Sequence, residues 1–319
     1  MRVFVTGASG TIGKAVTKEL LSHGHRVLGL VRNDAGADEL KSLGAEVQRG
    51  TLTDLDILKK AASECDGVAH LAFVHNFEDY GGCCAIDRAA IEAMGSALEA
   101  VGGNRAFVIS SGTMLLTKGQ IGTEDQKHDE SDLFGAIRGS SELAPLACAE
   151  KGVRVSVMRL PSVYGEGGLG FVALMLGAVK SKGIVPYLGA GENRWPVTHT
   201  LDVAEAYRPA LEHGKAGSVF HPVAQEGVCT KDIAKVLGKK LGVPVATMSQ
   251  SEALEAFGPM AVAMGADNPS SSAKTREQLG WIPVQPLLLD DLESGACLEC
   301  QTALPSWSHR LSQCNRKAF

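Results

Sequence analysis

Short apolar runs alternate along this chain with stretches whose apolar residues recur every three or four positions, the signature of strands alternating with amphipathic helices. Val3 to Thr6 reads as a first strand, Ile12 to Ser22 as a helix and Val27 to Val31 as a second strand. The helix-like stretch Ala37 to Leu43 and the strand Glu46 to Gly50 follow, then a helix at Asp54 to Ala62 and a fourth strand at Gly67 to Ala72. A loop holding glycines and cysteines at Tyr80 to Cys84 leads into a long helix at Asp87 to Val101. Arg105 to Ser110 is a strand ending in Ser110-Ser111-Gly112-Thr113, and a helix from Leu133 to Lys151 precedes the strand Arg154 to Leu160. This spacing predicts an α/β fold: a Rossmann-like doubly wound parallel sheet, covered on both faces and joined by right-handed crossovers.

Beyond Pro161 the pattern loosens. Residues 166–198 are rich in glycine, carry a helix at Phe171 to Ser181, and end in a polar and aromatic segment around Trp195. The helix Leu201 to His213 and the strand Ser218 to His221 return to the main repeat. The expected organisation is a dinucleotide-binding domain of residues 1–165 and 199–222. A smaller C-terminal substrate-binding lobe takes residues 166–198 and 223–296, and a loosely ordered tail takes 297–319.

Composition narrows the function classes. A formal net charge of −5 without a basic stripe gives no electrostatic case for nucleic acid. No apolar run is long enough to span a bilayer, and the opening MRVFVTGASG reads as a strand rather than a secretion signal, so a cytoplasmic protein is expected. Most of the eight cysteines are isolated. Cys297, Cys300 and Cys314 cluster near the end, but a tetrahedral zinc site there has only His309 as a fourth ligand, and no metal is expected.

Chemistry concentrates after the first strand, where Gly7-x-x-Gly10-x-x-Gly13 opens a helix. Such glycines let a pyrophosphate approach the backbone and the positive helix N-terminus, so Gly7, Ser9, Gly10, Thr11, Ile12 and Gly13 are expected to line a dinucleotide. After the second strand the chain reads Val31-Arg32-Asn33 where a ribose-binding carboxylate is usual. A guanidinium there suits a 2′-phosphate, which favours NADP(H); NAD(H) is the alternative, with Asp34 close enough to serve a diol. Asp54 can contact the adenine edge or cap the helix beginning at Leu55, and capping is the firmer expectation.

TGASGTIG at 6–13, Gly67-Val-Ala-His-Leu-Ala72, the SSGT run at 110–113, Arg159-Leu-Pro-Ser-Val-Tyr-Gly165 and Asp202-Val-Ala-Glu-Ala occur in the order seen in extended short-chain dehydrogenases/reductases. The chain resembles this NAD-dependent epimerase/dehydratase-like superfamily to about residue 292. The resemblance implies that Asp54 and Leu55 lie near the adenine, and that Leu71, Ala72, Phe73 and Pro161 lie against the cofactor. It also implies that Ser111 binds a substrate oxygen, and that the C-terminal lobe shapes the substrate pocket.

The resemblance breaks at the chemistry. The family's Tyr-x-x-x-Lys is matched here by Phe134-Gly-Ala-Ile-Arg138, aligned through Glu142. Phenylalanine moves no proton, while Arg138 can still hold the nicotinamide ribose. Substitute proton donors are Tyr164 at the end of a strand, Tyr80 in the loop after the fourth strand, and His199. Trp195 can stack on a flat ligand, Arg194 or Asn193 can orient an oxygen or phosphate, and Asp202 is expected to steady the first turn of its helix.

The expected function is an atypical NADP(H)-dependent oxidoreductase moving a hydride to or from a carbonyl or alcohol of a small, neutral, cyclic or aromatic molecule. The alternatives are an epimerase, dehydratase or isomerase that retains its nicotinamide cofactor, and a non-catalytic NADP-binding partner protein. A homodimer is compatible with the resemblance.

Overall fold

The computed structural model describes residues 1–295; the expectations for the tail, for Cys297, Cys300 and Cys314, and for His309 lie outside the described residues. Strands β1 (Arg2–Thr6), β2 (Arg26–Val31), β3 (Glu46–Arg49), β4 (Gly67–His70), β5 (Ala106–Gly112) and β6 (Arg154–Leu160) come first. They alternate with helices α1 (Thr11–Ser22), α2 (Asp34–Ser42), α3 (Leu55–Ser63), α4 (Tyr80–Val101), α5 (Leu133–Leu143) and α6 (Leu146–Ala149). Then follow β7 (Ser162–Gly165), β8 (Gly168–Leu169), α7 (Val172–Lys182), β9 (Val185–Leu188), β10 (Arg194–His199), α8 (Thr200–His213) and β11 (Ser218–Phe220). The described chain ends with β12 (Gln225–Cys229), α9 (Thr230–Leu241), β13 (Val245–Met248), α10 (Gln250–Phe257), α11 (Met260–Gly265), α12 (Ala273–Leu279) and α13 (Leu288–Ser294).

Seven strands form one parallel sheet in the order β11-β6-β5-β4-β1-β2-β3. This is the expected Rossmann-like doubly wound sheet, and its strand order reverses between β1 and β4. The reversal parts the connections leaving those two strands and opens a crevice at their C-terminal ends. Side chains alternate across β1: Val3 and Val5 join Val16, Leu20, Tyr207 and Leu211 under α1 and α8. Phe4 points the other way, into Leu58, Ile91, Met94 and Leu98 under α3 and α4. Burying each such side chain contributes about 1.5–3 kcal/mol, and both faces must be covered for the sheet to persist.

Two expected boundaries move for local reasons. Tyr80 to Cys84 is the first turn of α4 rather than a loop, because the Asp79 side chain accepts a hydrogen bond from Gly82 N and caps the helix there. The helix expected over Leu133 to Lys151 is broken into α5 and α6 at Pro145, which has no N–H to donate.

The remaining strands lie in a four-stranded sheet, β12-β10-β7-β8, and a β13-β9 pair. Tyr164, Met175, Trp195, Ile233, Leu237 and Leu292 share a separate apolar cluster there. Asp202 lies in the first turn of α8, as expected, and its buried carboxylate also accepts from Val284 N at 2.9 Å and from Gln285 N at 3.3 Å. It thereby ties the C-terminal segment to the main sheet's helix layer. No helix among the described residues is long and apolar enough to cross a membrane.

Candidate functional site

The turn after β1 needs its glycines because the backbone packs closely on itself and on the segment after β4. Gly7 stands at φ +68°, and a Cβ on it would meet Ala72 N at 2.9 Å, so the turn packs directly on the segment after β4. A Cβ on Gly13 would fall 2.0 Å from Gly7 O, closing the turn itself. The N-cap of α1 is Gly10, and no side chain caps this helix, so its first-turn N–H groups face the crevice unclaimed by a side chain. Those donors, with no Cβ between them and a ligand, fit a pyrophosphate. Thr11 and Ile12 form the opening of α1 and Ser9 precedes its cap.

Leu71 and Ala72 follow β4, and both amides donate to Thr6 Oγ1, at 3.2 and 3.1 Å. Phe73 lies between His75 and Tyr80, with ring centroids 5.3 and 6.1 Å away. Asp54 does not cap α3 as expected. Its carboxylate turns back to Thr51, accepting from the amide at 2.7 Å and the hydroxyl at 2.8 Å, and this closes the turn before Leu55. Arg32 is exposed at the end of β2, and Asn33, not Arg32, is fixed there, capping α2 through Gly36 N. Asp34 begins α2 and pairs with Arg49 at the end of β3.

The chemical centre lies where β4, β5, α4 and α5 converge. The Ser111 hydroxyl, on β5, is buried and has no protein hydrogen-bond partner. Thr113 differs: its hydroxyl accepts from the Asn268 side chain at 3.2 Å and so braces the end of β5 instead. Phe134 is buried on α5, with the half-buried Tyr80 ring edge-on to it at 5.4 Å. Burial drives the Tyr80 hydroxyl well above the ordinary phenol range, against the pull of Arg138. Arg138 lies over the Phe73 ring, 3.9 Å from its centroid, and donates to Ser110 O at 3.1 Å. Tyr80, Phe73, Phe134 and Arg138 are thus brought together, and Arg138 reaches the residue next to Ser111 on β5.

The other candidates are drawn into the framework. Tyr164 lies on β7, not at the end of β6, and its hydroxyl donates to Pro286 O at 2.6 Å. His199 caps α8, with Nδ1 accepting from Leu201 N, and its ring stands edge-on to Tyr164 at 5.4 Å. Trp195, expected to stack on a ligand, is fully buried against Phe171. Arg194 is held by both carboxylate oxygens of Asp267 at 2.9 Å. Asn193 is spent on Met264 O, Ala266 O and the Thr230 hydroxyl. Pro161 joins β6 to β7. Sequence reasoning missed His70 and Asp87, both buried behind Arg138; the histidine inside the otherwise apolar run Gly67 to Ala72 was the available signal.

The NAD dependent epimerase/dehydratase family matches residues 3–222 of the chain. An uncharacterised protein of Schizosaccharomyces pombe is 42% identical over 298 residues, 93% of this chain and 99% of that protein. One of Saccharomyces cerevisiae is 43% identical over 301 residues, 93% of this chain and all of its own length. Among solved structures, the dTDP-glucose 4,6-dehydratase DesIV of Streptomyces venezuelae, with NAD bound, superposes with a TM-score of 0.78 at 18% identity, covering 98% of this chain and 100% of that one. The UDP-glucuronic acid 4-epimerase of Bacillus cereus, in complex with UDP-glucuronic acid and NAD, gives 0.76 at 18%, covering 95% and 100%.

These neighbours correct the expected preference for NADP(H): the nucleotide in both is NAD.

Proposed function

The chain belongs to the NAD dependent epimerase/dehydratase family, and on that premise we propose that it is an enzyme that keeps NAD in the β1/β4 crevice and acts as an epimerase, dehydratase or isomerase on a hydroxyl-bearing carbon. The buried, unpartnered hydroxyl of Ser111 carries this reading, because a protein stores such a group at a cost unless a ligand satisfies it. When bound, the nicotinamide supplies the hydride acceptor and donor.

The chain's own residues do the rest. Ser111 holds the substrate oxygen, and the first turn of α1 with Gly7 and Gly13 holds the pyrophosphate. Arg138 holds the nicotinamide ribose, a task that needs only a fixed cation. Tyr80 carries the proton from the position next to Phe134, the ring of one neighbouring the ring of the other. The UDP-glucuronic acid held by the epimerase makes sugar nucleotides the first substrates to try.

One observation favours a second reading, net reduction of a carbonyl by NADH. A phenol whose burial makes it hold its proton tightly is a better donor to a forming alkoxide than a base for an alcohol. A panel of sugar nucleotides and simple carbonyls, followed by product analysis and by absorbance of NADH, separates the two. Conversion of a sugar nucleotide without net NADH change supports the main reading. Stoichiometric NADH consumption with a carbonyl replaces it by the second, and absence of NAD binding overturns both.

A further inference from the structure

A line of buried polar groups runs behind the site. Thr6 Oγ1 accepts from the amides of Leu71 and Ala72, so its single proton goes to His70 Nδ1, 2.8 Å away. With Nδ1 accepting from Thr6, Nε2 is the donor to Asp87 Oδ1 at 3.1 Å. The other carboxylate oxygen, Oδ2, accepts no hydrogen bond of normal length and faces Arg138 Nη2 at 3.6 Å. Asp87 and His70 are each 1% exposed.

An ionised carboxylate this deep needs a compensating charge, and the guanidinium supplies it. The converse holds for Arg138. Its long side chain has many rotamers, and three groups on three different elements select one of them: the Asp87 carboxylate on α4, Ser110 O on β5 and the Phe73 ring after β4. Ser110 O and the ring are weak, neutral partners; Asp87 brings the only charge.

We infer that Asp87, set by the Thr6–His70 pair, is a positioning residue that holds the Arg138 guanidinium where it meets the nicotinamide ribose. This rests on the ribose role proposed for Arg138. It also links the site to the glycine turn, because the Leu71 and Ala72 amides that orient Thr6 belong to the segment on which that turn packs.

The test is calorimetric titration of the full-length protein with NADH and, separately, with ADP, which lacks the nicotinamide ribose. D87N keeps the shape and an acceptor for His70 but removes the charge. It is expected to weaken NADH binding about tenfold while ADP binding stays within about twofold of the parent. R138M should give the same split, and D87N/R138M should bind NADH no more weakly than R138M, since both substitutions break one interaction. D87S, smaller and uncharged, must repeat the split if D87N does not fold. Parent-like NADH binding in D87N beside weakened binding in R138M overturns the role of Asp87 alone. Loss of NADH and ADP affinity together reduces Asp87 to a packing role and also overturns it. Parent-like NADH binding in R138M overturns the ribose role itself, and with it the inference.

Discussion

At Asp87 a pH effect follows with a definite sign. Burial alone would raise this carboxyl, but the hydrogen bond from His70 and the Arg138 guanidinium outweigh it and hold it below the usual carboxylate range. A depressed folded value means stability that is complete above the unfolded pKa of about 4 and is lost as pH falls through the folded value. The melting temperature of D87N should therefore lie furthest below the parent near neutrality, and the gap should narrow below about pH 4. A gap that is constant with pH contradicts an ionised Asp87. Tyr164 gives the complementary case. Its hydroxyl is committed to Pro286 O, so Y164F should cost about 1 kcal/mol of stability, read from denaturant midpoints, and leave turnover unchanged. Lost turnover would return Tyr164 to the chemistry. None of this was legible in the sequence: Tyr164 and Pro286, like Asp87 and Arg138, meet only because the fold joins distant segments.

Elements were legible where local rules suffice. Most strands of the main sheet announce themselves as apolar runs between turns, with the polar edge strand β3 the exception, and the glycine turn is visible because both its spacing and its setting are local. Failures came where a side chain found a tertiary or near-neighbour partner that outbid the expected one. Asp54 follows a strand and precedes a helix, as a cap should, yet the Thr51 amide and hydroxyl take its carboxylate. Asp202 sits in the first turn of α8 as expected, and only the further claim on it, by amides from the segment before α13, is tertiary. At the glycine turn a single added carbon has a definite consequence. G13A places a Cβ 2.0 Å from a carbonyl oxygen that belongs to the backbone and cannot swing aside. NADH affinity should fall by at least about tenfold in calorimetry, and an unaffected Kd would show that the turn does not hold the pyrophosphate.

For the molecule as a whole, the polar and aromatic residues around Trp195 are taken up by the C-terminal part of the fold. Arg194, Asn193 and Trp195 look like pocket residues in the sequence because they are polar or aromatic and close together. Asp267, the carbonyls of α11 and its flank, and the apolar cluster around Phe171 absorb them. Among the proposed proton donors, Tyr80 departs most from its expected loop setting. Helix α4 begins at Tyr80, not beyond it, and that turn brings the phenol against Phe134 and near Arg138. If the nucleotide binds as proposed, NAD at about a hundred times its Kd should stabilise the fold by about 2.7 kcal/mol, seen as a higher melting temperature. The most direct test of the account is Y80F, measured for both turnover and NADH affinity on the substrate found in the panel. The account predicts that kcat falls at least about 100-fold while the NADH Kd stays at the parent value. Undiminished kcat in Y80F would contradict it.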